Sequence, residues 1–169
     1  MGAQHTAPAG RFGVFTDQTD TAARLTFGQD AQLYLWNNLS PIAQAPFEGG
    51  NVMAYRANAG TWYGLGIQTD YRDMRNYAGG SLKLHLKTTT PSTFKIGINT
   101  SFGDSWVDFV PGGNQYGLVR DGVWHEVSIP FSAFYDLDLQ SVKQMFMLVA
   151  DPPASPVEIA IDKVYYQSR

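Results

Sequence analysis

The residues of this sequence best suited to surface chemistry are tryptophans set among alternating glycines. Residues 62–68 read Trp-Tyr-Gly-Leu-Gly-Ile-Gln. In an extended strand Tyr63, Leu65 and Ile67 then share one face, and Trp62, Gly64, Gly66 and Gln68 share the other. A glycine inside a strand weakens it and packs nothing, so Gly64, Gly66 and, in the next such segment, Gly97 mark either a place where another surface approaches the backbone or a local bulge. Trp62 beside that trough is a flat apolar platform. It suits a pyranose, whose C–H face stacks on an indole while its hydroxyls require planar polar partners; Gln68, Asn99, Lys95 and His85 are the candidates. In residues 106–110, Val107 and Phe109 take the inner face and leave Trp106 and Asp108 outside, a second platform with its own acceptor. Tyr116, in the glycine-rich loop 111–117, either caps the groove or packs on the rim. Burying part of one indole contributes on the order of 2 kcal/mol. Two platforms and a few hydrogen bonds, less ordering losses, correspond to a dissociation constant of roughly 10⁻³ to 10⁻⁵ M. Trp36 shares a face with Tyr34, opposite Leu33 and Leu35, and either face can be the inner one. Trp124 follows the Asp121-Gly122 turn and is expected to close the edge of the core.

Catalytic chemistry is less well provided for. A glycosidase of the usual kind needs two carboxylates roughly 5–10 Å apart, one of them kept protonated. Here Asp17, Asp20, Asp30, Asp104, Asp121, Asp136 and Asp138 fall at turns, where capping the backbone is the ordinary role. A polysaccharide lyase would use a His or Tyr base beside arginines, and His85, Arg72, Arg75 and Tyr77 could supply one. A small jelly-roll lyase or hydrolase acting on an acidic polysaccharide is therefore a second reading. A structural or adhesion domain is a third, and it requires Trp62 to be buried. The three histidines, His5, His85 and His125, lack zinc-site spacing. A structural calcium ion is the better-matched cation, because it takes carboxylates from loops distant in sequence. Asp17, Glu48 and Asp162 are the candidate ligands, and Asp162 interrupts an apolar run from Ile159 to Tyr165, where a charge needs solvent or a partner.

The elements that must position these residues read as strands. Of 169 residues, 44% are hydrophobic and 14% aromatic, only 16% are charged, and 17 are glycine, a composition suited to strands joined by turns. Strand-like segments occupy residues 11–16, 32–36, 51–55, 62–69, 81–88, 94–99, 106–110, 124–129, 145–150 and 157–166, with turn signals such as Glu48-Gly49-Gly50, Gly79-Gly80 and Asp121-Gly122 between them. Leu82, Leu84 and Leu86 point inward in one, and Phe94, Ile96 and Ile98 in another, leaving Lys83, His85 and Lys87, and Lys95, Gly97 and Asn99, on the outer faces. Short helical turns are expected at residues 40–45 and 131–134. The fold class is all-β, an antiparallel two-sheet β-sandwich of the jelly-roll kind. Residues 1–10 are expected to be a linker ahead of one domain at 11–169. The net charge of −3 and the lack of a basic run argue against a nucleic-acid partner. There are no cysteines, which excludes disulfides and thiolate metal sites. No apolar run approaches a membrane span, and the first ten residues lack a signal-peptide core. The expectation is a monomeric module of a larger secreted protein.

Several segments carry a family resemblance: Gly13-Val14-Phe15-Thr16-Asp17, Phe47-Glu48-Gly49-Gly50, Trp62-Tyr63-Gly64-Leu65-Gly66, the run from Gly122 to Pro130 with Phe134, and Ile159 to Tyr165. In this order they resemble the galactose-binding-like carbohydrate-binding modules attached to bacterial polysaccharide-degrading enzymes, and the C-terminal module of bacterial exo-glucanases among them. The resemblance implies a non-catalytic sandwich that binds a polysaccharide and serves an attached catalytic domain; it leaves the sugar open, and a neutral polysaccharide, β-glucan favoured, is the expectation. It also implies a structural calcium held chiefly by Glu48 and Asp162, although Lys163 stands where many members repeat the Asp.

Overall fold

The computed structural model describes residues 5–169. In chain order the strands are β1 (His5–Thr6), β2 (Arg11–Phe15), β3 (Ala23–Arg24), β4 (Ala31–Asn37), β5 (Ser40–Pro41), β6 (Met53–Ala57), β7 (Tyr63–Asp73), β8 (Ser81–Thr88), β9 (Phe94–Thr100), β10 (Gly103–Phe109), β11 (His125–Pro130), β12 (Val142–Ala150) and β13 (Val157–Gln167). They form two sheets. In the first, β7, β12, β9 and β10 lie in that order, with β4 and the short β1 both paired to β7. In the second, the order is β11-β8-β13-β2-β3, and β6 also pairs with β13. The architecture is the expected β-sandwich, antiparallel except for the two-residue pairings of β1 with β7 and β2 with β3.

Alternation produces this arrangement directly. Tyr63, Leu65 and Ile67 of β7, Phe94, Ile96 and Ile98 of β9, and Leu82, Leu84 and Leu86 of β8 are all buried in one core between the sheets. All ten strands read from the sequence are present. The three additional ones are two-residue pairings too short to carry a periodic signal. The turn expected at residues 131–134 is a 3₁₀ turn, Phe131–Ala133. The turn expected at 40–45 is not helical: Ser40 and Pro41 pair with Arg56 and Tyr55 instead. The expected domain boundary also moves. Ala7 is buried and its N–H donates to the Asp73 carbonyl, Tyr77 donates to the Pro8 carbonyl at 2.6 Å, and the Gly10 N–H donates to Ser168 Oγ. Residues 7–10 are therefore packed onto the sandwich; the part of the expected linker at residues 1–4 lies outside the described residues.

The three carboxylates expected to hold calcium do come together in the fold, but around N–H donors. Glu48 Oε2 accepts the Asp17 N–H at 2.7 Å, and Oε1 accepts the Thr19 hydroxyl at 2.7 Å. Asp17 in turn accepts the Asn51 backbone and side-chain N–H groups, both at 2.9 Å. Asp162 is fully buried; its Oδ2 accepts the N–H groups of Phe47 and Glu48, and its Oδ1 that of Lys163 at 2.7 Å. Burial pushes the Asp162 carboxyl above its usual range, against the pull of those donors. Lys163 sits at φ 51° in a bulge of β13. The arrangement is a hydrogen-bonded clasp in which each of the three carboxylates accepts at least one N–H group.

Replacing Glu48 with Ala leaves the Asp17 N–H and the Thr19 hydroxyl without an acceptor. It should lower stability by about 1–3 kcal/mol, measured by thermal denaturation.

Candidate functional site

The outer face of the first sheet carries three registered rows of side chains that run across the strands. In the central row Tyr34, Gly66, Met147, Gly97 and Trp106 stand side by side on β4, β7, β12, β9 and β10. On one side of it Gly64 pairs with Val149, Val149 with Lys95, and Lys95 with Asp108. On the other side Gln32, Gln68, Gln144, Asn99 and Asp104 follow one another.

The glycines make room for indoles. A Cβ at Gly66 would fall 2.5 Å from Cζ2 and Cη2 of Trp36, and one at Gly64 would meet Trp62 Cζ3 at 3.1 Å and Trp36 Cε3 at 3.2 Å. Trp36 and Trp62 thus lie next to each other on β7, with 38% and 42% of their surfaces exposed. A Cβ at Gly97 would lie 2.4 Å from Trp106 Cε3, which places the third indole over β9. The surface approaching the glycine backbone is therefore the protein's own tryptophan rings.

Trp62 and Trp106 are held by neighbouring segments. Asn37, at the end of β4, donates to the Trp62 carbonyl at 2.6 Å, and Asn38, in the left-handed region at φ 57°, donates to the Asn58 and Thr61 carbonyls. These bonds fix the turn that presents Trp62. At the opposite edge Lys95 Nζ sits 4.3 Å from the centre of the Trp106 ring, a cation–π contact that covers part of the indole. The Arg120 guanidinium donates to the Thr90, Ser92 and Phe109 carbonyls and ties the loops at that end of β9 and β10.

Trp62, Trp106, Gln68, Lys95, Asn99 and Asp108 all lie on this one face, and Asn99 donates to Asp104 at 2.6 Å. Trp36, whose facing the sequence left open, belongs with them, and Gln32 and Gln144 were missed. His85 does not belong. It lies on β8 in the other sheet, paired with Asp162 and Glu126, because two strands with the same alternation are assigned to different layers only by the topology. Its ring stacks on Phe47 at 3.8 Å and is 7% exposed. Trp124 packs edge-on against Phe47 on that same outer face rather than closing the core. Tyr116 packs on the rim, edge-on to the buried Phe109, and its carbonyl accepts the Ser128 N–H of the second sheet. The four residues of a lyase are dispersed: Arg72 pairs with Asp30 at 2.8 Å, Arg75 with Asp73 at 2.6 Å, Tyr77 is buried in the core, and His85 faces away.

Residues 12–168 match the family described as carbohydrate binding domain 30. The chain belongs to that family. It is a non-catalytic carbohydrate-binding module. No curated protein matches its sequence. Among solved structures, a family 30 module of a cellulosomal cellulase of Clostridium thermocellum is 15% identical, with 80% of this chain and 86% of that one covered at a TM-score of 0.62. A family 11 module from Clostridium thermocellum in complex with a β-1,3-1,4-mixed-linked tetrasaccharide is 14% identical, with 96% and 98% covered at 0.60. A family 29 module variant complexed with mannohexaose is 15% identical, with 95% and 92% covered at 0.55. These likenesses concern the module's fold. Among the described residues no helix is long and apolar enough to cross a membrane.

Two expectations for the module follow from these contacts. Gly97→Ala forces the half-buried Trp106 ring off β9 and should destabilise by about 1–3 kcal/mol, with a changed near-ultraviolet circular dichroism spectrum. Burial holds the His85 imidazole below its usual range, opposed by Glu126 and Glu48 and reinforced by Lys163. The unfolded chain therefore takes up this proton before the folded one does, and stability is lost as pH falls below the model-peptide value of about 6.5. The drop in melting temperature between pH 7 and pH 5 should be smaller in His85→Leu than in the wild type.

Proposed function

We propose that the module binds a neutral polysaccharide, with a β-glucan favoured, on the outer face of its first sheet, and that it delivers an attached glycan-degrading domain of a secreted protein to that polysaccharide. The observation that carries this reading is the pairing of two exposed indoles, Trp36 and Trp62, at one edge of a face whose far edge holds a third, Trp106. Flat apolar rings on solvent are an unfavourable exposure unless a partner covers them, and the apolar face of a sugar ring does so at low entropy loss because the indoles are already fixed.

The polar groups around the rings favour a neutral chain. Asp104 and Asp108 are exposed on β10 beside Trp106, where a uronate would be repelled. The amides at 32, 68, 99 and 144 both donate and accept, as hydroxyls do. The mixed-linked tetrasaccharide bound by the family 11 module is consistent with a β-glucan, and the mannohexaose of the family 29 variant makes a β-mannan the first comparison.

Calorimetry against laminarin, lichenan, xyloglucan, glucomannan, agarose and alginate tests the reading. Binding to a neutral β-glucan with a dissociation constant of roughly 10⁻³ to 10⁻⁵ M, and none to alginate, is expected. Trp62→Ala should weaken that binding by more than tenfold, equivalent to a loss of about 2 kcal/mol, without lowering the melting temperature, because the ring lies outside the core. Binding to none of these glycans refutes the proposal.

A further inference from the structure

The row Gln32, Gln68, Gln144, Asn99 and Asp104 is a feature that the stacking argument does not use. Each residue lies directly across from the next: Gln32 from Gln68, Gln68 from Gln144, Gln144 from Asn99, and Asn99 from Asp104. Side chains opposite one another on one sheet face stand about 4.5–5.5 Å apart. The row therefore crosses five strands, a span of roughly 19 Å from four strand spacings. It runs parallel to the row that carries Gly66, Met147, Gly97 and Trp106, and next to it.

Gln144 reaches this row only through a β-bulge. Its neighbours Met145 and Phe146 are both buried in the core, and the pairing of β12 with β7 skips a residue between Gln144 and Phe146. With strict alternation from Met147, which faces outward, position 144 would face the core. A bulge that re-aims one side chain without ending the strand is the kind of irregularity found at functional sites.

The aimed group lacks a partner. Gln144 Oε1 is buried and makes no hydrogen bond among the described residues, and it lies against the Gly66 position beside the Trp36 ring. A buried carbonyl left without a donor destabilises the protein by about 1–3 kcal/mol, so this oxygen is suited to a donor from outside, a water in the free protein and a ligand hydroxyl in the complex. Elsewhere in the row one valence is already used: Tyr34 donates to Gln32 Oε1, and Asn99 Nδ2 donates to Asp104 Oδ1. That leaves Gln32 Nε2, the Gln68 amide, Asn99 Oδ1 and the second Asp104 oxygen facing outward. At the Gln32–Gln68 end the row continues into a pocket of about 160 Å³ that is also lined by Gln29, Asp30 and Asp70.

From this geometry we infer that the row is a hydrogen-bonding rail which reads the hydroxyl edge of a glycan lying across the strands, with Gln144 as its specificity-determining residue. The inference rests on the proposed binding reading and adds to it a direction and a polar contact set. The chain stacks on Trp36 and Trp62, crosses the Gly66 to Gly97 row, and has its hydroxyls within reach of the rail throughout. Because the rail offers donors at its Gln32 and Gln68 end and acceptors from Gln144 to Asp104, it takes a chain whose edge hydroxyls do both.

The test uses Gln144→Met, which keeps the length and packing over Gly66 and removes the orphan acceptor. The melting temperature should be unchanged or raised, while the dissociation constant for the β-glucan oligosaccharide that binds the wild type best should rise about fivefold to tenfold, the worth of one hydrogen bond. In amide-edited ¹⁵N spectra, titrating the same oligosaccharide into the wild type should shift the side-chain NH₂ signals of Gln32, Gln68 and Gln144 together. Wild-type binding with an unaltered dissociation constant in Gln144→Met, or with shifts confined to the indole signals, overturns the rail and leaves the stacking proposal standing. Failure of the wild type to bind any neutral glycan overturns both.

Discussion

The rings of Trp36 and Trp106 lie close against strand backbone, and they can do so only where the opposing residue has no side chain. At Gly66 and Gly97 the distance from a Cβ position to the ring is about 2.5 Å, well inside the contact distance of two carbons, so any other residue would lift the indole from the sheet. This close approach decides the rest of the outer face. It turns rings that would otherwise project as loose side chains into a fixed, low surface, and it leaves Met147 and Val149 as the floor between them. A surface prepared in this way loses little conformational freedom on meeting a partner, which is how modest contacts yield measurable affinity.

The two sheets divide their work. The first carries the aromatic face, while part of the outer face of the second is covered by protein: the turn at residues 46–48 folds over Asp162 and His85, with Phe47 stacked on the imidazole. The clasp formed by Asp17, Glu48 and Asp162 links the first long strand, this turn and the last strand through backbone N–H donors. Each of these carboxylates therefore has a local structural purpose, and the buried one faces three backbone N–H dipoles.

Several irregularities shape the outer face of the first sheet. A register shift in β4 between Leu35 and Asn37 lets Trp36 lie over β7 while Asn37 turns to anchor Trp62. The bulge in β12 turns Gln144 outward. The Asn38 backbone in the left-handed region closes the turn below Trp62, a conformation asparagine tolerates better than most residues. Regular strands supply the frame, and departures from regularity set the side chains on it.

Period-two alternation is a local property, and it was enough to determine the all-β class, the ten main strands, the core faces of β7, β8 and β9, and the outward facing of Trp62, Trp106, Gly64, Gly66 and Gly97. Which strands share a sheet is not local. His85 and Asn99 have the same alternation, yet β8 and β9 enter different layers, so one side chain lies under Phe47 and the other on the aromatic face. The facing of Trp36 waited on its pairing with β7, since both faces of β4 are mixed. Gln144 was hidden for a different reason: a bulge inverts alternation at that one point, and nothing in the run from Val142 to Ala150 announces it. The carboxylates at 17, 48 and 162 could be picked out as polar groups needing partners. That those partners are N–H groups depends on how three distant segments meet, because a hydrogen bond is satisfied by position in space and not by position along the chain.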